Sequence, residues 1–316
     1  MTVAFVFPGQ GSQSVGMLAE LAEQAPVVRA TFDEASRVLG LDLWALAQRG
    51  PAEQLALTEI TQPLMLVAGV ATWRLWCLRG GAPPQWVAGH SLGEFTALVA
   101  AGVLAFPEAV DLVRFRGEAM RDAVTDGQGG MAAVLGLDDA DVEAVCAAAA
   151  EGEVAEAVNF NAPGQVVIAG HVSALQRATE IAKARGAKRA LPLPISVPCH
   201  SSLMRPAAEK LRERLRRSRF AAPQLRFMSS VDAGEYSTSA TIADLLYRQL
   251  AQPVRWVATV QALRAAGVDR LVECGPGKVL SGLNRRIDKS PALECLALED
   301  LAGFDRALAA ASAVAV

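Results

Sequence analysis

Ser91 stands at the centre of Gly89-His90-Ser91-Leu92-Gly93, between the apolar run Trp86-Val87-Ala88 and a second one from Phe95 to Ala101. A G-x-S-x-G pattern at a strand-to-helix junction describes a nucleophile elbow. The turn is sharp, so the residues flanking the serine must be small. The side chain then stands alone above the sheet edge, with the positive end of the following helix beneath it. A serine so placed can form a covalent ester, which is acyl-transfer chemistry.

Such a nucleophile needs a general base within hydrogen-bond reach, and the sequence holds 3 histidines. His90 is the immediate neighbour of Ser91, so its side chain leaves the elbow in another direction. His171 follows Gly170 at the start of a predicted helix, where a capping or surface role fits. His200, in the loop Pro198-Cys199-His200, is left by elimination, against the alternative of a loop histidine satisfied by backbone. Cys199 beside it does not make a zinc site, because no second Cys/His pair has ligand spacing. No aspartate at a strand end offers itself as a third member. The helix ending Leu246-Tyr247-Arg248-Gln249-Leu250 meets Pro253, however. A helical carbonyl bonds the N–H four residues on, and proline has none. The Gln249 carbonyl is therefore free for an imidazole N–H, or for water.

Arg116 shares the apolar stripe Ala109, Leu112, Val113 and Met120, while Asp111, Arg114, Glu118 and Arg121 lie on the opposite face. A buried charge without a partner is costly. Its planar fork suits a carboxylate, held bidentately. That carboxylate is either an internal Asp or Glu or part of a substrate.

Two glycine loops are candidates for anion binding. Gly9-Gln10-Gly11 follows the first strand, but the third glycine is Gly16, so a dinucleotide fingerprint fails. Gly275-Pro276-Gly277-Lys278 resembles part of a P-loop, yet no Ser or Thr follows Lys278. The first loop suits an oxyanion site, with the Gln10 N–H beside that of Leu92.

These groups need a framework of alternating strands and helices. Val3 to Phe7 reads as a buried strand, followed by helices to about Arg79 with a break at Pro63. A strand at 85 to 89, the serine turn and a helix to about Gly102 come next. Another helix starts at Pro107, a residue suited to a first helical position, with Glu108 in the first turn. From Gly130 the pattern becomes strand (Met131 to Leu135), helix (Asp138 to Ala150) and strand (Val154 to Asn159). A strand (Val166 to Ala169), a helix N-capped by Ser173 and running to Arg185, and a strand (Lys188 to Leu193) complete it. That βαββαβ order is a ferredoxin-like split motif, inserted at about 130 to 195. Strands near Leu225 to Met228 and Asp269 to Glu273 resume the alternation. The last dozen residues, rich in Ala, are expected to fray. The fold class is α/β.

The 316 residues are 52% hydrophobic, ample for a core that keeps water out of a site. The longest apolar stretches are too short and interrupted to span a bilayer. No basic segment precedes the N-terminal apolar run, which Pro8 ends, so no signal peptide is read. The 5 scattered cysteines are a poor disulfide framework and fit reduced thiols in the cytoplasm. A net charge of -3 gives no global attraction to nucleic acid.

Taken together, the sequence resembles the malonyl-CoA:acyl carrier protein transacylase family of fatty acid synthesis. The matching pieces are Phe7 to Gln13, Gly89 to Glu94, Arg116, Asn159 to Gln165, Val197 to Ser201, Gln249 before Pro253, and Glu273 to Gly277. They run in family order over nearly the whole chain. The resemblance implies an α/β-hydrolase-like large subdomain, 1–129 with 196–316, and a ferredoxin-like small one at 130–195. It makes Ser91 the nucleophile, His200 the base, the Gln249 carbonyl the group that holds His200, and the Gln10 and Leu92 N–H groups the oxyanion hole. Arg116 would bind the free carboxylate of malonyl-CoA, with Gln62, His90, Asn161 and Ser201 in or near the pocket. Leu92 in the elbow leans toward malonyl over methylmalonyl. Coenzyme A enters as the thioester substrate, without a separate cofactor or metal. No role follows for Cys199.

The acceptor implied is an acidic acyl carrier protein, for which Lys188, Arg189, Arg285 and Arg286 are candidate contacts. The denser run Lys210, Arg212, Arg214, Arg216, Arg217 and Arg219 reads first as a solvated helix face. The rival functions are a free-standing polyketide-synthase acyltransferase, with the same chemistry and another carrier, and a serine hydrolase or thioesterase.

Overall fold

The computed structural model describes residues 1–312 of the chain. Its strands are, in chain order, Thr2–Phe7 (β1), Trp86–Gly89 (β2), Gly129–Leu135 (β3), Ala155–Ala162 (β4), Gln165–His171 (β5), Arg189–Pro192 (β6), Arg226–Met228 (β7), Glu235–Tyr236 (β8), Val268–Glu273 (β9) and Glu294–Ala297 (β10). One sheet has the order β10-β9-β1-β2-β7-β8, parallel except for β8. Both its faces are covered, so its strands are apolar on successive residues rather than on alternate ones. Val272, Phe5, Val87 and Phe227 align across four strands and face a core holding Phe32, Leu64, Phe95 and Leu112. The intervening residues Ala4, Val6, Trp86, Ala88 and Met228 face the other way, onto Trp256 and Leu280.

The second sheet has the order β4-β5-β3-β6, every pair antiparallel. Helices Asp139–Ala150 and Val172–Ala184 pack on it through Val142, Val145, Ala174 and Ala178. The succession of elements is the one read from the sequence. The free edge of β4 is bound to the rest of the chain, since Phe160 N–H donates to the Val254 carbonyl (2.9 Å) and Val254 N–H to the Val158 carbonyl (2.8 Å). This brings Asn161 to the end of β2.

Three expectations are corrected. The helix Thr58–Leu78 runs straight through Pro63, where a break was expected. Proline removes the donor for the Glu59 carbonyl, and Arg114 Nη1 replaces it at 3.1 Å. Ser173 is not an N-cap: the helix starts at Val172 with His171 at the cap position, and the Ser173 hydroxyl donates to the Glu153 carboxylate at 2.7 Å. The Ala-rich end is helical over Leu301–Ser312, anchored by buried Phe304 and Ala307; residues 313–316 of that stretch lie outside the described residues. Strands β8 and β10 were not anticipated, being only two and four residues long. Among the described residues, no helix is long and apolar enough to cross a membrane.

Candidate active site

Ser91 occupies the turn between β2 and the helix Gly93–Ala100 with φ of 51°, in the left-handed region. A non-glycine residue held there marks a strained and sharply turned backbone. Contact distances explain the glycines around it. A Cβ on Gly89 would lie 1.9 Å from the Gly93 carbonyl carbon, and one on Gly93 would lie 2.0 Å from the Phe7 carbonyl oxygen. A Cβ on Gly9 would come within 2.5 Å of the His90 carbonyl oxygen, so the loop after β1 rests directly on the elbow.

His200 is 3% exposed and also has a positive φ, 66°. Its Nε2 lies 2.7 Å from Ser91 Oγ, and its Nδ1 lies 2.8 Å from the Gln249 carbonyl oxygen. A carbonyl only accepts, so Nδ1 carries the proton and Nε2 is left to accept from the serine hydroxyl. Gln249 is the last residue of the helix Ser239–Gln249, as the spacing to Pro253 required. Burial and the nearby charge of Arg116 push the His200 pKa down to about 3, against the pull of the Gln249 carbonyl. The imidazole is neutral at pH 7.

Arg116 is 1% exposed. Its Nη1 donates to Gln62 Oε1 at 2.7 Å, and its Nη2 donates to Gln249 Oε1 at 3.0 Å and lies 3.3 Å from Ser91 Oγ. The Phe95 ring lies under the guanidinium, 5.6 Å away. Among the described residues no carboxylate bonds to it, so the internal salt bridge weighed from the sequence does not form. Burial lowers its pKa to about 10, which leaves it charged at neutral pH. Of five N–H donors, Gln62 and Gln249 take two and the buried Nε has no acceptor. One hydrogen on each Nη remains, and the one on Nη2 is directed at the serine.

The backbone N–H groups of Gln10 and Leu92 have no acceptor among the described residues. The Gln10 side chain is fixed, its Oε1 accepting from the Thr58 hydroxyl at 3.0 Å. A cleft of about 420 Å³ lies beside the elbow, lined by Gly9, Gln10, His90, Asn161, Gln165 and Leu193 among others, while Ser91, Leu92, Arg116 and His200 lie outside its lining. His90 Nε2 lies 2.8 Å from Asn161 Oδ1, which joins the elbow to β4. Gln62 is buried behind Arg116, its amide nitrogen 3.4 Å from Met120 Sδ. Ser201, beside His200, is fully buried, and its hydroxyl donates to the Pro198 carbonyl at 2.7 Å. Burial pushes the Cys199 thiol up to about 11, so it stays protonated.

Lys188 and Arg286 line a shallow groove with Gly164 and Gln165, the last of which also borders the main cleft. Arg285 is instead engaged by the Cys295 carbonyl at 2.7 Å, and Arg189 is exposed on β6. Lys278 is paired with Glu299 and Asp300 and is not offered to a phosphate. Among the described residues no group of three or more His, Cys, Asp or Glu side chains could hold a metal ion.

Glu94 and the side-chain amide of Gln249 were missed in the sequence. Glu94 is fully buried behind the elbow. It accepts from Ser230 N–H at 2.6 Å, from the Ser229 and Ser230 hydroxyls, and from the Gln249 amide. That amide also donates to the Ser91 carbonyl at 2.9 Å. An acidic residue in a first helical turn reads as a solvated dipole partner. Only the fold brings Ser229 and Ser230 to it.

The acyl transferase domain family matches residues 4–294 of the chain. Malonyl CoA-acyl carrier protein transacylase of Salmonella typhimurium is 54% identical over 305 residues, covering 96% of this chain and 98% of that protein. The crystal structure of an acyl-carrier-protein S-malonyltransferase from Burkholderia pseudomallei 1710b is 56% identical, with a TM-score of 0.95 over 98% of this chain and 100% of that one. A further structure, a type II polyketide-synthase acyl carrier protein in complex with its malonyl-transacylase, matches at 49% identity and a TM-score of 0.96, covering 98% and 100% of the two chains.

Proposed function

The chain belongs to the acyl transferase domain family, and on that premise we propose that it transfers the malonyl group from malonyl-CoA to the phosphopantetheine thiol of an acyl carrier protein. The names of relatives at 54% and 56% identity support the substrate and the acceptor. The observation that carries the reading is the buried, carboxylate-free guanidinium of Arg116, 3.3 Å from Ser91 Oγ. A hydrolase of neutral esters has no use for such a cation.

Ser91 is the nucleophile of this scheme and His200 its base. His200 Nε2 takes the hydroxyl proton as Oγ attacks the thioester carbonyl. The tetrahedral oxyanion is held by the N–H groups of Gln10 and Leu92, each worth roughly 3 kcal/mol in a dry site. Collapse expels coenzyme A as its thiol, protonated by His200, and leaves malonyl-Ser91. The carrier's thiol then gives its proton to His200, attacks the ester carbonyl and restores the serine. The Gln249 carbonyl keeps the imidazole in the tautomer that this needs.

Arg116 binds the free carboxylate of the malonyl group, supported from behind by Gln62. Burial is the main cause of the low His200 pKa, and the bound carboxylate also cancels the Arg116 field that adds to it. The base is thus strengthened when a dicarboxylic substrate is present. His90 and Asn161 border the path of the pantetheine arm. Coenzyme A is substrate rather than cofactor, no metal takes part, and the enzyme works in the cytoplasm.

We read residues 1–129 and 196–316 as an α/β-hydrolase-like subdomain and 130–195 as a ferredoxin-like one. The order β4-β5-β3-β6 and the separate apolar cluster between that sheet and its two helices support this division, while Met131, Val158, Val167 and Ala169 on the sheet's other face join the main core. The polyketide carrier bound to a 49% identical relative favours a second acceptor class. Purified carriers of both kinds, assayed side by side, separate the two.

Mass spectrometry of the intact protein after incubation with a panel of acyl-CoAs tests the reading. Malonyl-CoA should leave one malonyl group on the enzyme, removable by holo carrier and absent in Ser91→Ala. A Ser91→Ala enzyme that still acquires the group would end the proposal.

A further inference from the structure

Glu94 does not touch the cleft, yet it controls the polarity of a hydrogen-bond chain that ends at Arg116. Its Oε1 accepts from the Ser230 N–H at 2.6 Å and from the hydroxyls of Ser230 (3.0 Å) and Ser229 (3.1 Å). Its Oε2 accepts from Gln249 Nε2, which also donates to the Ser91 carbonyl. The other end of that amide, Gln249 Oε1, accepts from Arg116 Nη2.

The two ends of a carboxamide have nearly the same shape and opposite hydrogen-bonding sense. Which end faces Arg116 is therefore set by what the other end meets. Burial raises the Glu94 pKa to about 7, and the four donors that converge on it fit the ionised form, which can only accept, so Nε2 turns to Glu94 and the oxygen is left for the guanidinium. We propose that Glu94 is a positioning residue for malonyl recognition, orienting the Gln249 amide so that Arg116 is held against the reacting serine. This inference rests on the malonyl-transfer reading above.

The isosteric change Glu94→Gln exposes the logic. The Ser230 N–H is fixed in the backbone, so the single acceptor of the new amide must stay with it. Its NH₂ then faces Gln249. If Gln249 flips, its oxygen opposes the Ser91 carbonyl and its NH₂ opposes Arg116 Nη2, donor against donor. If it does not flip, two NH₂ groups meet where both side chains are fully buried. Either arrangement disturbs the guanidinium, which a neutral acyl group does not use.

The test measures malonyl- and acetyl-serine formation by intact mass, with KM and kcat for each thioester, in wild type, E94Q and E94D. Circular dichroism and the thermal midpoint report whether each variant is folded. E94Q should lower the malonyl-to-acetyl ratio by about 10-fold or more, the scale of one charge-assisted hydrogen bond. The loss should fall mainly on the KM for malonyl-CoA. E94D keeps two acceptors and should retain most of the ratio. Where E94Q does not fold, Gln249→Met removes the oriented amide and should give the same fall. An unchanged ratio, or an equal loss for both thioesters in a folded variant, overturns the proposal. Absence of malonyl-serine in wild type would overturn the transfer reading and this inference together, and is the one outcome read on wild type.

Discussion

Nη2 of Arg116 lies 3.3 Å from Oγ of Ser91, while Nε2 of His200 lies 2.7 Å from the same oxygen. One hydroxyl thus stands between a neutral base and a buried cation. A charge-assisted bidentate contact is worth roughly 1.5–3 kcal/mol. Arg116→Ala should therefore reduce malonyl transfer by about 10- to 200-fold. Acetyl transfer should change much less, which narrows the gap between the two substrates. Arg116→Lys keeps the charge without the fork and should recover only part of the loss. Steady-state kinetics with both thioesters decide it, and an unchanged malonyl-to-acetyl ratio refutes the clamp.

The same pair sets the pH dependence. A histidine free of such influences titrates near 6.5, whereas burial and the Arg116 charge hold His200 near 3. The acidic limb of kcat/KM, which reports the free enzyme, should therefore lie well below pH 6. In Arg116→Ala the cation is gone and the limb should move upward. The stability consequence has a definite sign. Below about 6.5 the unfolded chain binds a proton that the native histidine refuses. The contribution of neutral His200 is thus complete above that pH and is lost as pH falls toward the native value. A wild-type limb at 6.5 or above would contradict the geometry.

Much of this site was readable in the sequence because it depends on local rules. Gly-x-Ser-x-Gly requires a sharp turn, Pro253 frees the Gln249 carbonyl, and a guanidinium on an apolar stripe needs a buried partner. Each follows from a few neighbouring residues. What the sequence hid is what the fold assembles from distant pieces. Glu94 meets Ser229 and Ser230, and His90 meets Asn161. The Gln249 side chain reaches both Arg116 and Ser91. Pro63 misled for a related reason, since the donor that replaces its missing N–H comes from another helix.

The tightness of the elbow predicts a contrast between two glycines. A methyl group on Gly93 would penetrate the Phe7 carbonyl, which is strand backbone and cannot move alone. Gly93→Ala should therefore lower stability by about 3 kcal/mol or more, in the range of severe core disruption. Gly282, exposed in the helix Val279–Ile287, has nothing within 4 Å of such a methyl. Gly282→Ala should be neutral or stabilise by up to about 1 kcal/mol through helix propensity and the unfolded chain. Urea unfolding of both variants checks the pair. Equal effects would mean that the elbow is not closed by backbone contact.

The carrier must deliver a phosphopantetheine arm to the cleft, and the groove at Lys188 and Arg286, which Asp138 also lines, is a nearby surface with positive charge. Arg286 is held toward it, bonding to Gln165 and to the Pro163 carbonyl (3.4 Å). Gln165 in turn borders the main cleft. Arg285 is turned to the Cys295 carbonyl, so its charge should count for less than sequence alone suggests. Attraction between an acidic carrier and exposed cations is screened over about 8–10 Å at ionic strengths of 0.10–0.15 M. The KM for the carrier should therefore rise with added salt. Lys188→Glu should raise it further and flatten the salt dependence, and Arg285→Glu should do less. Malonyl-serine formation without carrier is the control, since a loss confined to that half-reaction would place the defect at the thioester site. A carrier KM indifferent to salt would remove electrostatics from docking, and with it the role assigned to this groove.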